Sequence, residues 1–122
     1  MYFKIEMRLP SMNEVINANR INKYKGAQMK REIEYSITAY IMAAGFKGTL
    51  KPARKPVEIS IEWHESNHRR DVDNIQSGQK FILDAMQKSG IIPNDSRRYV
   101  KQIYHKIVDD TADFVEVTIR EV

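Results

Sequence analysis

Val57-Glu58-Ile59-Ser60-Ile61-Glu62-Trp63 alternates apolar and polar residues without a break. Successive side chains of an extended chain point to opposite faces, so the pattern predicts a strand with one side against a core. A polar stretch, 64–72, follows it. Ile75, Ile82, Ala85 and Met86 then fall on one side of a helix expected from about Asp73 to Ser89, with Gly90 closing it.

Upstream, Phe3, Ile5, Met7 and Leu9 alternate with Lys4, Glu6 and Arg8, which predicts a second half-buried strand ended by Pro10. Ser11 followed by Glu14 is a capping-box pattern that opens a short helical turn through Ile16. The polar run 17–25 reads as a surface loop. From Gly26 to Ala44 the positions Met29, Ile33, Ile37, Tyr40, Ile41 and Ala44 repeat at helical spacing, with Gly45 as the expected stop. Residues 46–56, punctuated by Pro52 and Pro56, read as a loop. Downstream, alternating segments at about 99–108 and 113–121 flank Asp109-Asp110-Thr111, which predicts a hairpin shaped by Asp109, Asp110 and Asp113. The expected order is β-α-β-α-β-β. It implies a single α+β domain over residues 1–122, a mixed sheet with two helices packed on one face.

The 122 residues suit one core, and 42% hydrophobic against 30% charged residues is a globular composition. No apolar run approaches the roughly 18 residues of a membrane span. Met1 to Glu6 alternates instead of building a signal-peptide core, so the chain is expected to stay in the compartment where it is made. The absence of cysteine removes disulfides, thiolate catalysis and cysteine-ligated zinc. His64, His68 and His105 are scattered, with no HxxxH pair, so a metal is expected to be hard, oxygen-bound and held by aspartates. The net charge of +4 is mild. Its distribution says more: Lys47, Lys51, Arg54 and Lys55 cluster, as do Arg69-Arg70, and Arg97, Arg98, Lys101 and Lys106. Each cluster, taken singly, also fits a solvated face.

Chemistry concentrates in Arg69-Arg70-Asp71-Val72-Asp73-Asn74. In an extended segment Asp71 and Asp73 would project to one side while Val72 turns back into the protein. Two carboxylates that close repel unless a cation lies between them, and magnesium is held by just such a small carboxylate set. The alternative is that one of them caps the helix that follows. Arg69 and Arg70 offer charge-assisted hydrogen bonds to a nucleic-acid backbone, and Asn74 adds a neutral polar group. Lys80 could stabilise charge on a scissile phosphate. Asp95, in the turn-forming Pro93-Asn94-Asp95-Ser96, is free to reach a shared site. Asp84 reads as a mid-helix position that either supports the site's ligands or is simply polar, His64 and His68 as surface or phosphate contacts, and Trp63 as core.

Several segments in order resemble the RusA family of Holliday junction resolvases: Pro10-Ser11-Met12-Asn13, the strand Lys55 to Glu62, Arg70-Asp71-Val72-Asp73-Asn74, Phe81-Ile82-Leu83-Asp84-Ala85-Met86, and Ile91-Ile92-Pro93-Asn94-Asp95-Ser96. The resemblance implies a homodimeric, magnesium-dependent endonuclease, with manganese able to substitute, that resolves four-way DNA junctions by paired nicks. It implies Asp71, Asp73 and Asp95 as metal-binding catalytic acids and Lys80 as the catalytic lysine. The expected DNA contacts are Asn13, Arg69, Arg70, Asn74, Arg97, Arg98 and Lys101. The expected setting is the cytoplasm of a bacterial or phage-infected cell. Two departures stand out. Asn94 replaces an acid common in relatives, and three extra residues separate Lys80 from the Asp-x-Asp-Asn core, which in a continuous helix is a rotation of roughly 300°. The rival readings are a nuclease for other branched nucleic acid and a noncatalytic DNA-binding protein.

Overall fold

The alternating stretch does form a strand, and it runs through the middle of the molecule. The computed structural model describes residues 1–122, with β1 at Tyr2–Ile5, α1 at Met12–Ile21, α2 at Lys25–Lys47 and β2 at Val57–Glu65. Then come α3 at Val72–Gln76, α4 at Gln79–Lys88, β3 at Val100–Asp109 and β4 at Phe114–Glu121. The four strands lie in the order β1-β4-β2-β3. β4 is antiparallel to both β1 and β2, whereas β3 is parallel to β2. The sheet is therefore mixed, as expected. No helix is long and apolar enough to cross a membrane.

The expected hairpin is absent. β3 and β4 follow each other in the chain but never pair, because β2 lies between them. The turn at Asp110–Asp113 steps across the end of β2 and is fastened there: Asp110 N–H donates to the Glu65 carbonyl at 3.0 Å, and Ser66 N–H to Asp113 Oδ1 at 2.7 Å. Each flank of a central apolar strand gains a full ladder this way, which a two-stranded hairpin could not provide.

Four helices form where two were expected. Ser11 caps α1 by accepting from Glu14 N–H at 3.3 Å, and Arg8 pairs with the Glu14 carboxylate at 2.6 Å, holding that carboxyl below its usual range. Once nucleated, the helix continues through the polar residues to Ile21, burying Val15 and Ala18. α2 runs through Gly45 and ends at Gly48, whose φ of 81° suits a left-handed helix terminus. The second expected helix is broken at Ser77–Gly78. Ser77 Oγ accepts from Met12 N–H and donates to the Asn74 carbonyl, while Gly78 packs so closely on the Trp63 indole that a Cβ there would lie 3.1 Å from it.

A core of 25 buried residues joins the helices to one face of the sheet, with Phe3, Ile5, Ile59, Ile61, Trp63, Val117 and Ile119 from the strands meeting Ile37, Phe81, Ile82 and Met86. Trp63 belongs to this core, as its phase predicts. The strand residues in between, among them Lys4, Ser60, Glu62 and Glu116, fall on the other, helix-free face.

Candidate active site

The site is built where β2 ends. Arg70 Nε and Nη2 donate to the two oxygens of Glu65 at 3.1 and 2.7 Å, and Nη1 donates to the Leu9 carbonyl at 2.7 Å. Both side chains are nearly buried. Arg70 was expected at DNA phosphates; its guanidinium is instead committed inside the protein, fixing the chain just before Asp71. Arg69 remains exposed, with only its backbone N–H engaged, by Asn67.

Asp71 takes the N-cap position of α3 in an extended conformation, φ −72° and ψ 160°, but its side chain caps nothing. Asp73 lies in the first helical turn, so the two acids are not spaced along a strand. Val72 points out, 58% exposed, rather than into the protein as expected. Both aspartates are exposed and neither carboxylate has a hydrogen-bond or ion-pair partner, which removes capping as their purpose. Beside them Asn13 Nδ2 donates to Asn74 Oδ1 at 2.7 Å, joining α1 to α3 and bringing two of the expected DNA contacts together. Hard, unpartnered carboxylate oxygens at one helix start fit a magnesium ion, which needs only one or two carboxylates and takes its other oxygens from water and phosphate.

Lys80 stands in the first turn of α4, beyond the Ser77–Gly78 break, so rotation along one continuous helix does not describe its placement. Its Nζ lies 3.2 Å from Asp84, which also pairs with Lys30 of α2 at 3.6 Å. Asp84, expected either to support the site or to be simply polar, is the ion-pair partner of Lys80 one turn along the helix.

Asp95 lies elsewhere within the chain. Val57 N–H donates to the Tyr99 carbonyl and Ala53 N–H to that of Ile91, so the 91–99 loop sits at the start of β2. Asp71 and Asp73 sit near its end, about 26 Å away along a nine-residue strand. Asn94 Oδ1 accepts from Ser96 N–H at 2.9 Å, shaping this loop and leaving Asp95 exposed. One fold therefore brings Asp71 and Asp73 together and keeps Asp95 apart from them.

Two arrangements escaped the sequence reading. Arg54 and Lys55 line one depression with Pro93, Arg98 and Tyr99, so two basic clusters distant in sequence share a surface on the loop that carries Asp95. His64, expected at the surface, is only 7% exposed. The alternation of β2 could have paired His64 with Glu62 on one face; its cross-strand neighbours could not have been found without the register.

A family model described as endodeoxyribonuclease RusA matches residues 12–120, which takes in Asn13, Arg69 to Asn74, Lys80 and Asp95. No curated protein matches the chain.

Proposed function

The chain belongs to the family of RusA endodeoxyribonucleases, and on that premise we propose that it resolves four-way DNA junctions by magnesium-dependent hydrolysis, as one catalytic domain spanning residues 1–122 and working as a homodimer. The observation that carries the reading is the pair Asp71 and Asp73. They are exposed and unpaired on a segment held by the Arg70–Glu65 pair and the Asn13–Asn74 hydrogen bond. Neither carboxylate is spent on a cap or an ion pair, which leaves both available as ligands.

Asp71 and Asp73 would hold Mg2+ or Mn2+, with Asp95 supplied by the second subunit, since the loop bearing it lies at the far end of its own sheet. Bound there, the ion supplies Lewis acidity toward a phosphate oxygen and lowers the pKa of water. Lys80, aligned by Asp84, stabilises negative charge on the phosphate or the leaving oxygen. Arg69, Asn13 and Asn74 contact the backbone near the cut. Arg97, Arg98 and Lys101, with Arg54 and Lys55, follow the duplex arm beyond it. Arg70 acts as a positioning residue.

An apolar stripe supports self-association. Tyr35, Ala39, Met42 and Phe46 recur on the outer side of α2, with Tyr35 80% and Phe46 88% exposed. Such a stripe favours cover by a second copy, and a two-fold dimer presents two equivalent sites to a junction of like symmetry.

The deciding experiment incubates the protein with end-labelled four-way junction and with linear duplex of the same sequence, in Mg2+ or in chelator. Paired nicks in the junction alone, and only with Mg2+, are the expected result. Cleavage of other branched DNA in preference to the junction would favour a different branched substrate. Binding without any cut would overturn the nuclease reading for a noncatalytic one.

A further inference from the structure

On the helix-free face, His64 stands among three carboxylates. Its Nδ1 lies 2.9 Å from Asp110 Oδ2, and its Nε2 lies 3.0 Å from Glu116 Oε1 and 3.3 Å from Glu62 Oε1. The Asp110 carboxylate lies within hydrogen-bond distance of Nδ1 through Oδ2, while its Oδ1 accepts from the Thr111 backbone N–H at 2.6 Å, so it faces the ring as an acceptor for an Nδ1 proton. With Nδ1 turned to that carboxylate, Nε2 is the ring nitrogen left to act as a ligand. It is buried, and neither nearby oxygen forms a hydrogen bond with it. Glu62 and Glu116 are direct cross-strand partners in the β2–β4 ladder, flanked on the same face by Lys106 opposite Glu62 and Lys4 opposite Glu116.

We propose that Glu62, His64 and Glu116 form a second metal site, for a transition-metal dication of the zinc type, separate from the aspartate site. An ion there would give the buried, unpartnered Nε2 a partner and lie between the two facing carboxylates. The three donor atoms lie within 4.8 Å of one another. Around a tetrahedral ion with bonds of about 2.0–2.1 Å, neighbouring donors stand about 3.3 Å apart, close to the 3.0 and 3.3 Å found here. An imidazole nitrogen with two carboxylates is a borderline set that prefers Zn2+ to Mg2+.

The surroundings are those of a metal centre. Asp110 orients the ring through Nδ1, the arrangement that fixes a ligating histidine. Tyr2 OH donates to the other oxygen of Glu116 at 2.6 Å; burial and that carboxylate push the phenol up to about 12, so it stays a donor. Phe114 stacks on the ring at 3.9 Å and closes one side. Glu62, with its side chain 45% exposed, and Glu116 border an open depression, which gives an ion an entry path and room for water. A filled site would tie β2 and β4 to the turn that carries Asp110.

The test uses the full chain as Asp73→Asn, so that the aspartate site does not compete, titrated calorimetrically with Zn2+ at neutral pH. One equivalent should bind, and the His64 Nε2 resonance should shift as it does so. Asp110→Asn should weaken binding 10- to 100-fold. Glu62→Gln, at an exposed position that leaves the fold intact, should weaken it at least tenfold. No stoichiometric uptake, an unmoved Nε2 resonance, or equal affinity in both variants would overturn the proposal. Cleavage is not read here, so this site and the nuclease reading stand or fall separately.

Discussion

Arg70 meets Glu65 through two parallel hydrogen bonds, with the side chains only 11% and 10% exposed. The pair spans the turn between the end of β2 and the first candidate aspartate. Removing one partner strands a nearly buried charge. Arg70→Ala should therefore cost about 3 kcal/mol, a fall in Tm of roughly 10 °C. An unchanged melting curve would dismiss its positioning role.

Arg69→Ala should behave in the opposite way. Its side chain is exposed and supports nothing, so Tm should hold while junction affinity falls. The slope of log K against log salt should flatten by about one unit, as for one lost phosphate contact. A salt dependence identical to wild type would move the DNA path toward Arg98 and Lys101.

Asp73→Asn should abolish cleavage and preserve or tighten junction binding, because it removes an anionic ligand and a charge that repels phosphate. Gel-shift and nicking assays on the same preparation read both effects. Near-normal nicking in millimolar Mg2+ would refute the assignment.

The distance between Asp73 and Asp95 within one chain makes complementation the sharpest check on the dimer. Asp73→Asn and Asp95→Asn, each inactive alone, should regain nicking of one strand when their subunits are mixed. Phe46→Glu in both chains should abolish the recovery and leave monomers in sedimentation. A confirmed heterodimer without recovery would refute sharing of acids between subunits.

His105 sets a pH dependence. Trp63 Nε1–H donates to its Nδ1 at 2.9 Å, which leaves Nε2 to donate to Gln79 Oε1 at 2.8 Å and fixes a neutral ring. Burial lowers its pKa from the ordinary 6.5. The unfolded state then binds more protons in acid, so stability should decline as pH drops below about 6.5, until the lowered folded value is passed. His105→Gln should flatten that part of a Tm-against-pH curve, and an unaltered curve would exclude the effect.

The strands were legible because a two-residue period survives in Val57–Trp63 and Phe3–Leu9, although β1 itself stops at Ile5. The break at Ser77–Gly78 was not, since it depends on Met12 and Trp63, which arrive from other parts of the chain. Local pattern likewise favoured a β3–β4 hairpin; only the burial of β2 between two neighbours decides against it. Within the site, residue type pointed to Asp71 and Asp73, but charge alone could not distinguish Arg69, which is free, from Arg70, which is spent on Glu65. His64 gave no sign of burial, because two of the carboxylates around it come from β4 and the turn before it.

The strand order bears on how the chain is made. β1, the first strand of this sequence, has β4 as its only neighbour, and β4 is the fourth and last of the four in chain order. Until β4 has been made, β1 has no place in a sheet, and β2 can pair on one side only, with β3. The helices and the β2–β3 unit can assemble early, but the N-terminal strand must wait with its edge open. Removing β4 would take away the ladders on both of its sides, leaving β1 unpaired and one edge of β2 open as a template for aggregation.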